Sequence, residues 1–82
     1  MNKRIHIGMI GTQFMGKAHS NAFLQAPRFF DLPLQPVLHT ACGRNAEQLA
    51  LFGKRFGWEK WRTSWEAMVA DETIDLVDIC AP

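Results

Sequence analysis

Apolar residues along this chain fall into short runs of strand character, separated by stretches of helical spacing. Ile5, Ile7, Met9 and Ile10 form a compact run with β-branched members, the pattern of a buried strand. Met15, Ala18, His19, Ala22, Phe23 and Ala26 then recur at three- and four-residue intervals. They predict a helix from Phe14 or Met15 to about Ala26, with those residues as its inner face and Pro27 as its stop. The segment Arg28–Pro36 is proline-rich and reads as an irregular loop whose apolar side chains lie on the surface. Val37–Cys42 is the second strand. Asn45, with Gln48 three residues on, caps a second helix that buries Leu49, Phe52 and Phe56, and Gly57 stops it. Trp58–Arg62 holds a short third strand, with Trp58, Trp61 and Trp65 packing around it. Thr63-x-x-Glu66 is a second capping box and opens a short helix with Trp65, Met68 and Val69 on one side. Ile74–Cys80 is the last strand.

Alternating strands and helices demand an α/β fold with a parallel sheet, and the doubly wound order places the strands third-second-first-fourth. The fourth strand supplies apolar residues to both faces through Ile74, Leu76, Val77 and Ile79, yet no strand follows to cover its free edge. Complete proteins avoid such an edge. The sheet is therefore expected to be incomplete, and residues 1–82 are expected to be a piece of a longer chain.

Composition narrows the classes of function. With 82 residues there is room for one modest core, and a formal charge of +1 argues against a polyanion-binding surface. No basic stripe with interleaved aromatics points to nucleic acid, and no apolar run is long enough to span a bilayer. Met1-Asn2-Lys3-Arg4 runs directly into the first strand, so a signal peptide is not expected and the default location is cytoplasmic. Cys42 and Cys80 fall in strands and read as small buried hydrophobes with free thiols.

The chemistry concentrates where the first strand meets the first helix. Gly11-Thr12-Gln13-Phe14-Met15-Gly16 is a glycine-marked turn between a strand and a helix, the opening of a dinucleotide-binding unit. The first glycine permits the bend, the last lets helix and strand pack closely, and the helix N-terminus offers N–H groups to a pyrophosphate. Gln13 departs from the common pattern, since it stands where the middle glycine lets backbone and phosphate approach. Its side chain either crowds the phosphates or donates its amide to them. Elsewhere, alternation points His39 and Cys42 to opposite faces, and likewise Asp75 and Asp78. Asp78 is expected to hydrogen-bond a backbone or hydroxyl group, and His19 reads as a structural histidine. His6, His19 and His39 are too scattered to propose a metal, and no catalytic triad can be placed.

Ile7 to His19, then Ala41-Cys42-Gly43-Arg44-Asn45, then Ile74 to Pro82 together resemble the N-terminal domain of the glucose-fructose oxidoreductase / inositol dehydrogenase / MocA family. The likeness covers the chain except for the proline-rich loop. It implies a Rossmann-type domain of an enzyme that uses NAD or NADP to oxidise or reduce a sugar, a cyclitol or a related carbonyl compound, commonly as an oligomer. It also implies that Gly11, Thr12, Gln13, Phe14 and Met15 line the pyrophosphate, and that Gly43 and Arg44 sit by the adenosine ribose. Cys80, Ala81 and Pro82 would pass near the dinucleotide at the switch point of the sheet. The family's Glu-Lys-Pro triplet, its downstream histidine and its substrate-binding α+β domain would all lie beyond Pro82, so no catalytic residue can be named here. A non-catalytic nucleotide-sensing or interaction module, or an inactive truncated product, is the rival expectation. An S-adenosylmethionine-dependent methyltransferase fits the Ala81-Pro82 strand end less well.

The cofactor expectation rests on Gly43. NAD-specific folds end the second strand with an acid that accepts hydrogen bonds from the ribose hydroxyls. Gly43 can do neither that nor repel a 2′-phosphate, and Arg44 beside it suits a phosphate by charge and by its planar fork. NADP is therefore favoured over NAD.

Overall fold

The computed structural model describes residues 3–81. Its elements are β1 (Lys3–Ile10), α1 (Phe14–Phe29), β2 (Leu34–Cys42), α2 (Ala46–Phe56), β3 (Lys60–Arg62), α3 (Trp65–Val69) and β4 (Leu76–Ile79). The four strands form one parallel sheet in the order β3-β2-β1-β4, as the doubly wound pattern requires. Ile7 and Met9 of β1 and Leu38 and Ala41 of β2 bury against Leu49 and Phe52 of α2 and against Trp58. On the opposite face α3 covers β1 so closely that a Cβ on Gly8 would lie 2.9 Å from the sulfur of Met68.

One irregularity changes which side chains share a face. Ile7 pairs with Leu38 but Gly8 pairs with Thr40, so His39 is an extra residue in β2. That slip is why Leu38 and Ala41, three apart, both enter the same core. It also overturns the alternation expected for His39 and Cys42. His39 bonds Thr40 and stacks edge-on against His6, and Cys42 lies near Glu66 of α3, so both belong to the α3 side. Asp75 and Asp78 do lie on opposite faces, the first paired with His6 and the second with His19.

Both proline expectations are corrected. Pro27 lies inside α1, which runs three residues past Ala26 to Phe29. A proline near a helix end removes one hydrogen bond without stopping the turn, and the Phe30 N–H still closes on the Ala26 carbonyl at 2.9 Å. Likewise β2 begins at Leu34 and passes through Pro36, within the segment expected to be a loop. Since β3 pairs with β2 only at Thr40–Cys42, β2 is an edge strand at Pro36, where proline is tolerated.

Helix faces differ too. Gly16 and Ser20 are the buried residues of α1, whereas Met15, Ala18 and Ala22 are exposed. Packing, not apolarity, chooses this face: the indole Nε1–H of Trp58 donates to Ser20 Oγ, which in turn donates to the Met9 sulfur. Asn45 caps α2 by accepting from the Gln48 N–H at 3.0 Å, and Gly57 ends it with φ 77°, as the sequence predicts. The cap of α3 is Ser64, one residue later than the Thr63 box implies, because Ser64 Oγ accepts the Ala67 N–H. Only Met68 of its apolar residues is buried, leaving Trp65 and Val69 exposed.

Candidate functional site

Three backbone features meet above the carboxyl ends of β1, β2 and β4. Gly11 turns the chain with φ 113°, a conformation L side chains rarely adopt, and its N–H donates to the Cys42 carbonyl at 2.9 Å. A Cβ on Gly11 would lie 2.8 Å from the Ala81 nitrogen, so the glycine lets the segment after β4 cross directly over the turn. A Cβ on Gly16 would run into the Gly11 carbonyl oxygen, which fixes how closely α1 approaches β1. Both glycines thus have the geometric roles the motif assigns them.

The middle position is different. Gln13 is the N-cap residue of α1 with extended backbone, but its side chain makes no capping hydrogen bond. Its amide is exposed, and the first-turn N–H groups of α1 are left to water or a ligand.

A cavity of about 380 Å³ opens beside this turn. Gly11, Thr12, Gln13, Gly43, Arg44, Cys80 and Ala81 all line it, as do Ile10, Cys42, Asn45, Gln48, Thr63 and Trp65. Phe14 and Met15 are not part of it. They line an adjoining hollow with Gln13, His19, Cys80 and Ala81. The residues singled out in the sequence therefore divide between two neighbouring depressions joined through Gln13, Cys80 and Ala81. Pro82 lies outside the described residues. Thr12 sits against Gly43, where an added Cβ would be 3.1 Å from its methyl group, a tight contact that Thr12 would have to relieve by a few tenths of an ångström.

Sequence spacing missed a polar group beside the second hollow, to whose lining it contributes His19 and Cys80. His19 Nδ1 lies 2.8 Å from Asp78 Oδ2, and the Cys80 thiol lies 3.3 Å from the same nitrogen and donates to Asp78 Oδ1 at 3.4 Å. Asp78 is thus bound by an imidazole and a thiol, not by the backbone or hydroxyl group expected. The signal was present: Asp78 and Cys80 are two apart on a strand and so share a face. Nothing in the spacing of His19 could have brought it to them. The donor atoms lie within 4.8 Å of one another, close enough to surround a metal ion. Burial, then the bond to Asp78 and the charge of that carboxylate, push the Cys80 thiol up to about 11. With its proton on, the thiol acts here as a hydrogen-bond donor to Asp78.

The tryptophans also divide. Trp58 is buried in the core, the Trp61 ring rests where a Cβ on Gly53 would stand, and Trp65 lies at the cavity instead of packing around β3.

A parallel sheet in this order, with a glycine turn into α1 and a cleft where the connections part to either side of β1, defines a Rossmann-type nucleotide-binding domain. Residues 5–82 match the family model described as an oxidoreductase family with an NAD-binding Rossmann fold, and the chain belongs to that family, the glucose-fructose oxidoreductase / inositol dehydrogenase / MocA group. It is 38% identical over 81 residues to levoglucosan dehydrogenase of Pseudarthrobacter phenanthrenivorans, covering 98% of this chain and 21% of that protein. The structure of a levoglucosan dehydrogenase in complex with NADH superimposes with a TM-score of 0.94, and an oxidoreductase domain protein from Kribbella flavida, 45% identical, with 0.91. The chain covers 98% and 100% of itself in these two matches and 22% of each partner. It therefore spans about a fifth of the length of these relatives.

Proposed function

We propose that this chain forms the dinucleotide-binding part of an NAD(P)-dependent oxidoreductase acting on a sugar, a cyclitol or a related alcohol or carbonyl compound. The observation that carries it is the cavity at the strand ends, where Gly11, Thr12 and Gln13 meet Gly43, Arg44, Cys80 and Ala81. Gly11, Thr12 and Gln13, with the uncapped first turn at Phe14 and Met15, would hold the pyrophosphate. Gly43 and Arg44 would flank the adenosine ribose, and Cys80 and Ala81 would pass beside the dinucleotide. Bound there, the nicotinamide would supply a hydride acceptor or donor. This chain's own residues bind and orient; none of those described is assigned proton transfer.

Complexes of levoglucosan dehydrogenase with NADH, and with NADH together with levoglucosan or L-sorbose, support the cofactor and the sugar-like substrate class. They also support NAD(H) as a cofactor of this chain. The preference for NADP rests on Arg44, an exposed guanidinium at the cavity with no carboxylate in the place of Gly43. Titration of the full-length protein with NADH and NADPH, before and after Arg44→Ala, tests both levels. Absence of binding to either dinucleotide would overturn the proposal. Tighter NADH binding in the parent, or undiminished NADPH binding in the variant, would overturn the NADP preference alone.

A further inference from the structure

We infer that Trp65 is the stacking surface for the adenine base and sets most of the affinity for the adenosine half of the cofactor. This deepens the dinucleotide proposal and rests on it. Three tryptophans follow one another within eight residues, and the fold uses them differently. Trp58 is 3% exposed, with its indole N–H satisfied by Ser20 Oγ at 3.2 Å. Trp61 lies against Gly53, which has no side chain to obstruct the ring. Trp65 is 55% exposed and stacks on no other ring among the described residues.

Its position is held from both sides. Ser64 caps α3 through the Ala67 N–H, and Met68, one turn on, is wholly buried beneath Gly8. The indole is thereby brought to the cavity wall, together with Gly43, Arg44, Asn45 and Gln48. Trp65 is the one aromatic residue among the described residues that line this cavity, and an open ring there is suited to a flat, uncharged, π-faced group. The purine is the part of a dinucleotide that answers to that description. Phosphates belong with the glycine turn, and ribose hydroxyls require polar partners of the kind Arg44 and Asn45 supply.

Base–aromatic stacking measured by alanine substitution is worth about 5- to 150-fold in affinity. Binding of NADH, AMP and reduced nicotinamide mononucleotide to the full-length protein should be titrated for the parent, Trp65→Ala and Trp65→Phe. Trp65→Ala is expected to weaken NADH and AMP to a similar extent within that range and to leave the mononucleotide, which has no adenine, unchanged. Trp65→Phe should recover most of the loss, and thermal melting of each variant will show that the fold persists. Equal loss for all three ligands would mark Trp65 as structural and overturn the inference, as would parental AMP binding in Trp65→Ala. If the parent itself binds neither NADH nor AMP, the dinucleotide proposal fails first.

Discussion

His19 Nδ1 and Asp78 Oδ2 lie 2.8 Å apart although 59 residues separate them in the chain. The bond ties the second turn of α1 to β4 and so holds the two sides of the hollow against each other. His19→Ala leaves the carboxylate of a side chain only 17% exposed without its main partner. Such a loss costs about 1–3 kcal/mol, tempered here by the Cys80 thiol that still donates to Asp78. Urea denaturation should place His19→Ala in the lower half of that range. Asp78→Asn, which keeps one amide oxygen, should lose less.

Gly11 and Gly57 both have positive φ, 113° and 77°, but only Gly11 is crowded. An added Cβ at Gly57 meets nothing within 4 Å, so Gly57→Ala should cost only the left-handed backbone penalty, about 1–2 kcal/mol. Gly11→Ala adds a collision with the backbone of Cys80 and Ala81. It should destabilise more and also move that segment out of the cavity, lowering NADH affinity, whereas Gly57→Ala should leave affinity unchanged. Paired melting and NADH titrations separate the two effects.

Asp75 accepts the backbone N–H of His6 at 2.8 Å and lies 3.0 Å from its imidazole Nδ1. The backbone bond first, then the side-chain bond, lower its carboxyl below the usual aspartate value. A carboxyl depressed in the folded state stabilises the fold above its unfolded value, and that contribution disappears as pH falls through the folded one. Stability should therefore decline below about pH 4. Asp75→Asn should flatten that acid limb relative to the parent, as followed by denaturant midpoints at pH 6 and pH 3.

Cys42 and Cys80 are both free thiols. Burial, with a smaller effect of Glu66, raises Cys42, and Cys80 is pushed up to about 11. Because the thiolate is the nucleophile, and a more basic thiolate is also more reactive, iodoacetamide at pH 8 should alkylate native Cys80 roughly tenfold more slowly than an unfolded cysteine. Asp78→Asn, by removing the carboxylate that holds the thiol proton, should speed the reaction. Mass spectrometry should find no intramolecular disulfide, since β1 separates the strands that carry the two cysteines.

The order of strands and helices, the Asn45 cap, the Gly57 stop and the glycine turn were legible in the sequence because each depends on local spacing or on one residue's backbone freedom. So was the parallel order of the sheet, which follows from alternating elements. Local rules erred where a neighbour element decided. Pro27 and Pro36 were tolerated because one lies near a helix end and the other on an edge strand, and an edge is defined only by what fails to pair with it. The extra residue at His39 exists only as a register between two strands, so alternation along β2 alone could not reveal that His39 and Cys42 share a side. The buried face of α1 was chosen by the Trp58 indole bonding Ser20, across a sequence separation no helical period encodes. The same holds at the site. The sequence marked the glycines and Arg44 by type and position, but the meeting of His19 with Asp78 and the arrival of Trp65 at the cavity required the sheet to fold, because only the crossovers bring those distant residues within bonding distance.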